Sequence, residues 1–354
     1  LTGAGETAIR IQNQVRVQEQ TMSYRKNCTE GKVIFLLSVL FSLVVFLNLC
    51  PCQNVAAAGV GQATENSLPL RIMTFNILYG NAHKNTENRW ENRRELVVNI
   101  LHENQPDIAG LQEALRFQLD QLRQKLGQYG EIGVGRDDGK TQGEYSAILY
   151  RLDRFDVNES GTFWLSDTPE VPGSITWGNA CTRICTWARF IEKKSHRAFY
   201  VFNLHLDHIS QPSREKSVVL LAKRIAGRKQ PDPFIVTGDF NAGEDNPAIL
   251  YLKGKAALGK DNASATPNPT CRTSPTPLVD TFRVLHPDDK EVGTFNDLQG
   301  KRSGPKIDYI FASGGWEVLQ AEILRTQYGG RWPSDHFPVM AALRLGTPDV
   351  KQQR

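Results

Sequence analysis

An α/β fold of two packed sheets with helices on their outer faces is what this sequence of 354 residues predicts. Three observations carry that prediction. Short apolar or alternating runs recur from residue 70 to residue 345, with only a few stretches of helical period between them. No repeat of fixed period interrupts this order. Polar and acidic residues stand where the apolar runs end, a position that suits a site assembled at one end of the sheets.

The elements follow in order. Leu70–Ile77 (LRIMTFNI) alternates as a strand and ends on Asn76. A helix is expected over Glu91–Glu103, where Leu96, Val97, Ile100 and Leu101 share one face, and Pro106 stops it. Asp107–Gln112 reads as a buried strand delivering Glu113. Leu115, Leu119, Leu122 and Leu126 then recur at helical spacing, and Gly127 closes that helix. Short strands fill Tyr129–Leu165, and Ser166–Gly178 is a loop. Arg183–Phe190 and Phe199–Leu206 are strands, the second carrying Asn203 and His205 and followed by Asp207 and His208. Pro212–Ala226 is helical, with Val218, Leu221, Ala222 and Ile225 facing inward. Phe234–Val236 is a buried strand. Gly238 breaks it, and Asp239 and Asn241 alternate so that both point to one side. A short helix over Asn246–Lys253, a surface excursion over Lys260–Thr276 and strands at Lys306–Phe311, Trp316–Leu324 and Phe337–Leu345 complete the chain.

Residues 1–58 read differently. Arg25, Lys26 and Lys32 precede the apolar run Val33–Leu49, and Ala56, Ala57 and Ala58 follow. This is the pattern of a secretory signal peptide, with cleavage expected after Ala58 and a secreted or periplasmic product. The alternative is an uncleaved anchor facing outward, because the apolar run is nearly long enough to span a bilayer. Only then would the membrane be a partner. Residues 59–69 are a linker, 70–346 the folded domain and 347–354 a tail. Five of the 42 basic and three of the 38 acidic residues fall in 1–58, so the remainder carries a net charge near +2. Such a balance gives no bulk pull toward nucleic acid, which stays open as a partner without being favoured. Three cysteines remain beyond residue 58. Cys185 reads as a buried apolar position, leaving Cys181 and Cys271 as the plausible pair for a disulfide.

Taken together, the polar residues at strand ends are Asn76, Glu113, His205, Asp239, Asn241, Asp308, Asp335 and His336. Asp239 and Asn241, taken alone, would be an ordinary polar turn after a strand. Their companions point to chemistry. The motifs TFN at Thr74–Asn76, QE at Gln112–Glu113, NLHLDH at Asn203–His208, GDFN at Gly238–Asn241, IDYIF at Ile307–Phe311 and SDHFPV at Ser334–Val339 occur in one order. In that order they resemble the endonuclease/exonuclease/phosphatase superfamily, from about Leu70 to Leu345.

The resemblance implies a four-layer α/β sandwich of two packed, mainly antiparallel or mixed sheets flanked by helices, and a metal-dependent phosphoesterase. Glu113, with Asn76 and Asp335, would hold Mg²⁺ or Mn²⁺, since hard oxygen ligands suit such ions. Asp239 would be the general base and Asn241 would hold the water or a phosphate oxygen. His336, oriented by Asp308, and His205 would contact the phosphate, with Glu144 as the expected partner of His205. Arg183, Glu144 and Trp332 are the candidate substrate-binding residues, and His208 and His83 are read as surface or local hydrogen-bonding groups. The substrate class stays open between a small phosphomonoester or phosphodiester and a nucleic acid. A catalytically inactive binding module on the same fold is the third alternative.

Overall fold

The computed structural model describes residues 69–258 and 272–346. The signal-peptide and linker expectations for residues 1–68, the tail 347–354 and Cys271 of the expected disulfide lie outside the described residues. Among the described residues no helix is long and apolar enough to cross a membrane.

The first half of the chain runs β1 (Pro69–Asn76), α1 (Trp90–Asn104), β2 (Ile108–Ala114), α2 (Arg116–Lys125), β3 (Tyr129–Ile132), β4 (Tyr145–Arg151) and β5 (Phe155–Trp164). It continues through β6 (Ile184–Glu192), β7 (Ala198–His205), α3 (Gln211–Ala226), β8 (Phe234–Asp239), α4 (Pro247–Leu252) and β9 (Ala257–Leu258). The remainder holds β10 (Arg272–Thr273), β11 (Val279–Asp280), α5 (Thr281–Leu285), β12 (Asp308–Ala312), β13 (Trp316–Ile323) and β14 (Val339–Leu345). Two six-stranded mixed sheets result, ordered β13-β14-β1-β2-β4-β3 and β11-β12-β8-β7-β6-β5, beside the small ribbon β9-β10. In each large sheet one central pair is parallel, β1 with β2 and β7 with β8.

The side chains of these central strands explain the layering. On β1, Ile72 packs between the sheets while Met73 and Phe75 join Val97, Ile100 and Leu101 of α1 on the outer face. On β8, Ile235 enters the inter-sheet core while Phe234 and Val236 meet Leu221 and Ile225 of α3. Both faces are covered over most of their length, so β8 opens as a continuous apolar run, while β1 keeps an alternating start through the exposed Arg71 before it is buried on both sides. The expected four-layer sandwich is therefore present.

One layer of the inter-sheet core is polar. Gln112 Nε2 donates to Asn203 Oδ1 (2.7 Å) and to Thr74 Oγ1 (3.0 Å), and Thr237 Oγ1 donates to Asn203 Oδ1 (3.0 Å). Asn203 Nδ2 donates across to the carbonyls of Leu111 and Ala147. This network joins the two sheets where β1, β2, β7 and β8 approach their C-terminal ends. Gly110 is needed there, because a Cβ at that position would lie 2.3 Å from Thr237 Oγ1.

Several expectations shift. α5 and β11 were not foreseen, being too short to show a period. The strand expected from Lys306 starts at Asp308. Lys306 is fully buried just before it, with Nζ 2.8 Å from Asp280 Oδ2 and 3.6 Å from the centre of the Tyr309 ring. Phe337 also precedes its strand, which starts at Val339. Cys185 is buried as expected, and burial pushes its thiol pKa upward.

Candidate active site

The parallel pairs bring their C-terminal ends to the same side, and this is where the chemistry collects. In the second sheet His205 stands opposite Asp239 in the parallel β7–β8 register, and Asp308 stands opposite Asp239 in the antiparallel β8–β12 register. Three strands thus set His205, Asp239 and Asp308 in one row. In the first sheet Asn76 is in register with Gln112, and Glu113 follows immediately. The two sheets face one another across a pocket of about 660 Å³, lined by Glu113, His205, Asp239, Asn241, Asp335 and His336 among others.

Two of these residues are held in left-handed backbone conformations that side-chain-bearing residues rarely adopt. Glu113 has φ +63° in an irregularity of the β2–β4 ladder, and Asn241 has φ +47° just past β8. Each deviation turns a side chain into the pocket. Backbone strain of this kind persists only where the surrounding structure fixes it.

Hydrogen bonds tie the two sheets' acids together. Asn76 Nδ2 donates to Glu113 Oε1 (2.9 Å) and to Asp239 Oδ2 (3.0 Å), while Asn76 Oδ1 accepts from the Leu78 N–H (3.0 Å). Asn76 therefore meets the acids with its donor side. The Tyr79 N–H donates to Glu113 Oε2 (3.0 Å), and the Asn241 N–H donates to Asp239 Oδ1 (2.9 Å). Asn241 Nδ2 donates to the Leu206 carbonyl and bonds His205 Nε2, each at 3.0 Å. His336 Nδ1 pairs with Asp308 Oδ2 at 2.9 Å, which leaves its Nε2 3.7 Å from Asp239 Oδ2.

Electrostatics gives the two histidines opposite states. Burial, and then the charges of Arg183 and Arg136, hold His205 well below the ordinary histidine range, so it is neutral. Burial also opposes charge on His336, but Asp308 and Asp239 outweigh it and hold the imidazolium well above that range. Asp239 is pushed up to about 7, first by burial and then by Asp308, against the pull of His336 and the N–H of Asn241. Asp335 is raised by burial and by the nearby Glu113. A buried acid near neutrality beside a charged imidazole is the arrangement general acid–base chemistry needs.

The donor set fits a hard divalent cation. Glu113, His205 and Asp239 offer ligand atoms that lie within 4.8 Å of one another, and Asp335 lines the same pocket. Oxygen-rich, partly buried carboxylates of this kind suit Mg²⁺ or Mn²⁺.

Three substrate-side expectations fare differently. Arg183 lines the pocket. Glu144 lines it too but is not the partner of His205: Arg136 captures both its oxygens, at 2.5 and 3.0 Å. The cation eight residues earlier lies on the adjoining turn, and the nearest cation in space takes the carboxylate. Trp332 stands away from the pocket, edge-on to Phe337 (5.3 Å) and against Gly300, where a Cβ would lie 2.2 Å from its ring. Arg136, Tyr79, Phe295 and His208 are among the lining groups that the sequence does not mark as site residues. Only the NLHLDH stretch offered a signal, through His208. Cys181 is half-buried at the same wall.

Known proteins share this frame. An endonuclease/exonuclease/phosphatase family protein of Bacteroides thetaiotaomicron has a solved structure that superposes with a TM-score of 0.67 at 32% identity, covering 79% of this chain and 99% of that one. The mannosyl-6-phosphatase of B. thetaiotaomicron VPI-5482 superposes with a TM-score of 0.66 at 33% identity, covering 77% and 99%. Nocturnin of Drosophila melanogaster is 24% identical over 298 residues, which span 73% of this chain and 42% of the relative. Residues 73–336 match the Endonuclease/Exonuclease/phosphatase family as a whole, and with the ordered motifs and paired sheets above, this chain belongs to that family.

Proposed function

We propose that the chain is a divalent-metal-dependent phosphoester hydrolase acting on a small phosphate ester. The observation that carries the reading is the row His205–Asp239–Asp308, in which Asp239 sits at about 7 between a neutral histidine and the imidazolium of His336. Asp239 takes the proton of the attacking water, and the backbone N–H of Asn241 holds its carboxylate in place. His336, braced by Asp308, turns Nε2–H toward a phosphate oxygen and stabilises charge developing there. His205, bonded through Nε2 to Asn241, orients that amide and keeps the wall beside Asp239 uncharged. Glu113 and Asp335 are the residues that would hold Mg²⁺ or Mn²⁺, with Asn76 keeping Glu113 in place. When bound, the ion supplies charge neutralisation at the phosphoryl and leaving oxygens.

Two observations favour a small substrate. The pocket lining carries four carboxylates, Glu113, Glu144, Asp239 and Asp335, against the arginines 136 and 183, with no continuous basic strip for a polynucleotide. The 33% identical neighbour of near-complete coverage is named a mannosyl-6-phosphatase, which supports a sugar phosphate. The test is turnover by the purified chain, with Mg²⁺ or Mn²⁺, of mannose 6-phosphate, p-nitrophenyl phosphate, bis-p-nitrophenyl phosphate, RNA and plasmid DNA. Hydrolysis of the small esters, abolished by EDTA, is the expected result. Nicking of plasmid or RNA with inert small esters would replace this reading with a nuclease. We also propose that the protein is exported. The pattern of residues 22–58 supports this, and an exported form whose N-terminus is not Gly59 would count against cleavage after Ala58.

A further inference from the structure

We infer that Arg183 makes this site selective for phosphomonoesters, by taking the oxygen that a monoester has and a diester lacks. The inference rests on the phosphoester hydrolase reading above and narrows its substrate class.

Arg183 sits directly before β6, and the β6–β7 register, which pairs Cys185 with Leu204, extends to place it beside Leu206. It therefore lies one strand from His205 and two from Asp239, roughly 10 Å between backbones at the usual strand spacing. An arginine side chain covers most of that distance. The residue is 3% exposed, yet it lines the same pocket as His205, Asp239 and Asn241.

Its donors are largely unspent. A guanidinium carries five N–H groups, and among the described residues that of Arg183 makes one hydrogen bond, from Nη2 to His208 Nδ1 (2.9 Å). Nε is buried without a partner. Asp207 Oδ2 lies 3.7 Å from it, beyond hydrogen-bond reach. That carboxylate is engaged by the N–H groups of Ala180 (2.9 Å), Ile209 (3.0 Å) and Ser210 (2.8 Å), so it gives Arg183 a counter-charge without consuming its fork. The other pocket arginine shows the contrast. Arg136 spends both Nη groups on Glu144. A buried cation with free donors facing a pocket is costly unless an anion completes it, and the planar fork matches phosphate oxygens.

Counting oxygens gives the selectivity. On the reading above, the cation that Glu113 and Asp335 would hold would neutralise one non-bridging oxygen, and the imidazolium of His336 would take a second. A phosphodiester has no third. A phosphomonoester does, and Arg183, which lines the same pocket beside His205, is the cation left to take it.

The experiment compares kcat/KM for p-nitrophenyl phosphate and bis-p-nitrophenyl phosphate, with Mn²⁺, in the wild-type chain, Arg183→Ala and Arg183→Lys. Thermal shifts produced by inorganic phosphate and by dimethyl phosphate are measured alongside. The wild type should prefer the monoester. Arg183→Ala should lower the monoester-to-diester ratio by about a hundredfold, the scale of a lost charged hydrogen-bond pair. Arg183→Lys, which keeps charge without the fork, should lower it by about tenfold and covers the case in which the alanine variant does not fold. Inorganic phosphate should raise Tm in the wild type and lose that effect in the variants. A ratio that moves less than threefold in a folded variant, or a wild type that prefers the diester, overturns the inference and leaves the hydrolase reading standing. A wild type inert toward both esters overturns both.

Discussion

Replacing Asp239 with asparagine should make the metal-free protein relatively more stable as pH rises, while abolishing turnover. Asp239 lies in the row between His205 and Asp308, and its carboxyl is raised from 3.8 to about 7 by burial and by Asp308. The sign follows from proton counting. Between those two values the folded state keeps a proton that the unfolded state has released, so wild-type stability falls as pH climbs from about 4 to about 7 and then levels. Asparagine has no such proton to lose. The interval corresponds to a ceiling of about 4 kcal/mol, and the part falling between pH 5 and pH 8 to about 3 kcal/mol.

A pH-independent cost is superimposed. The carboxylate accepts from Asn76 Nδ2 (3.0 Å) and from the Asn241 N–H (2.9 Å), and an amide can accept only one of these, at a cost of about 1–3 kcal/mol. The discriminating quantity is therefore the difference in slope, not the offset. Urea unfolding of wild type and Asp239→Asn in EDTA, from pH 5 to pH 8, measures it. Curves that run parallel to within about 0.5 kcal/mol would refute the argument that burial and Asp308 hold this proton.

Three further outcomes are expected. Glu113→Gln removes a charged oxygen donor from the proposed cation site without changing its shape, so Mn²⁺ affinity by titration calorimetry should fall at least about tenfold, and an unchanged affinity would remove Glu113 from that site. Gly110→Ala puts a methyl 2.3 Å from Thr237 Oγ1 and 2.5 Å from Asn203 Oδ1 in the polar layer that joins the sheets. Denaturant unfolding should show a loss of about 2–4 kcal/mol. Lys306→Met leaves Asp280 buried without the ammonium 2.8 Å away and should cost about 3–5 kcal/mol, most of it recovered by adding Asp280→Leu; a double variant as unstable as the single would refute the pairing account.

Much of the fold and most of the proposed site are legible in the chain because the signals are local. A strand such as β8 is buried on both faces and β1 along most of its length, so each shows an apolar or alternating run whatever surrounds it, and a polar residue at the end of such a run is conspicuous. Asn76, Glu113, His205, Asp239, Asn241, Asp308, Asp335 and His336 are all identifiable that way, and the structure gathers all eight at the C-terminal ends of the central strands. Pairing is different, because a carboxylate takes the nearest cation in space. Glu144 goes to Arg136 rather than His205, and Trp332 turns onto Phe337 rather than the pocket.

The amino-acid sequence alone determined the sandwich, the ordered motifs and the residue types that meet at the strand ends. Only tertiary structure decided how those residues are poised. The left-handed backbone at Glu113 and Asn241 depends on a ladder irregularity and a strand exit that no periodicity encodes. The same holds for protonation. His205 and His336 are the same residue type in similar motifs, yet one is neutral beside two arginines and the other is charged between two aspartates. Asp239, an ordinary turn residue when read in place, is held near neutrality by its burial in that row.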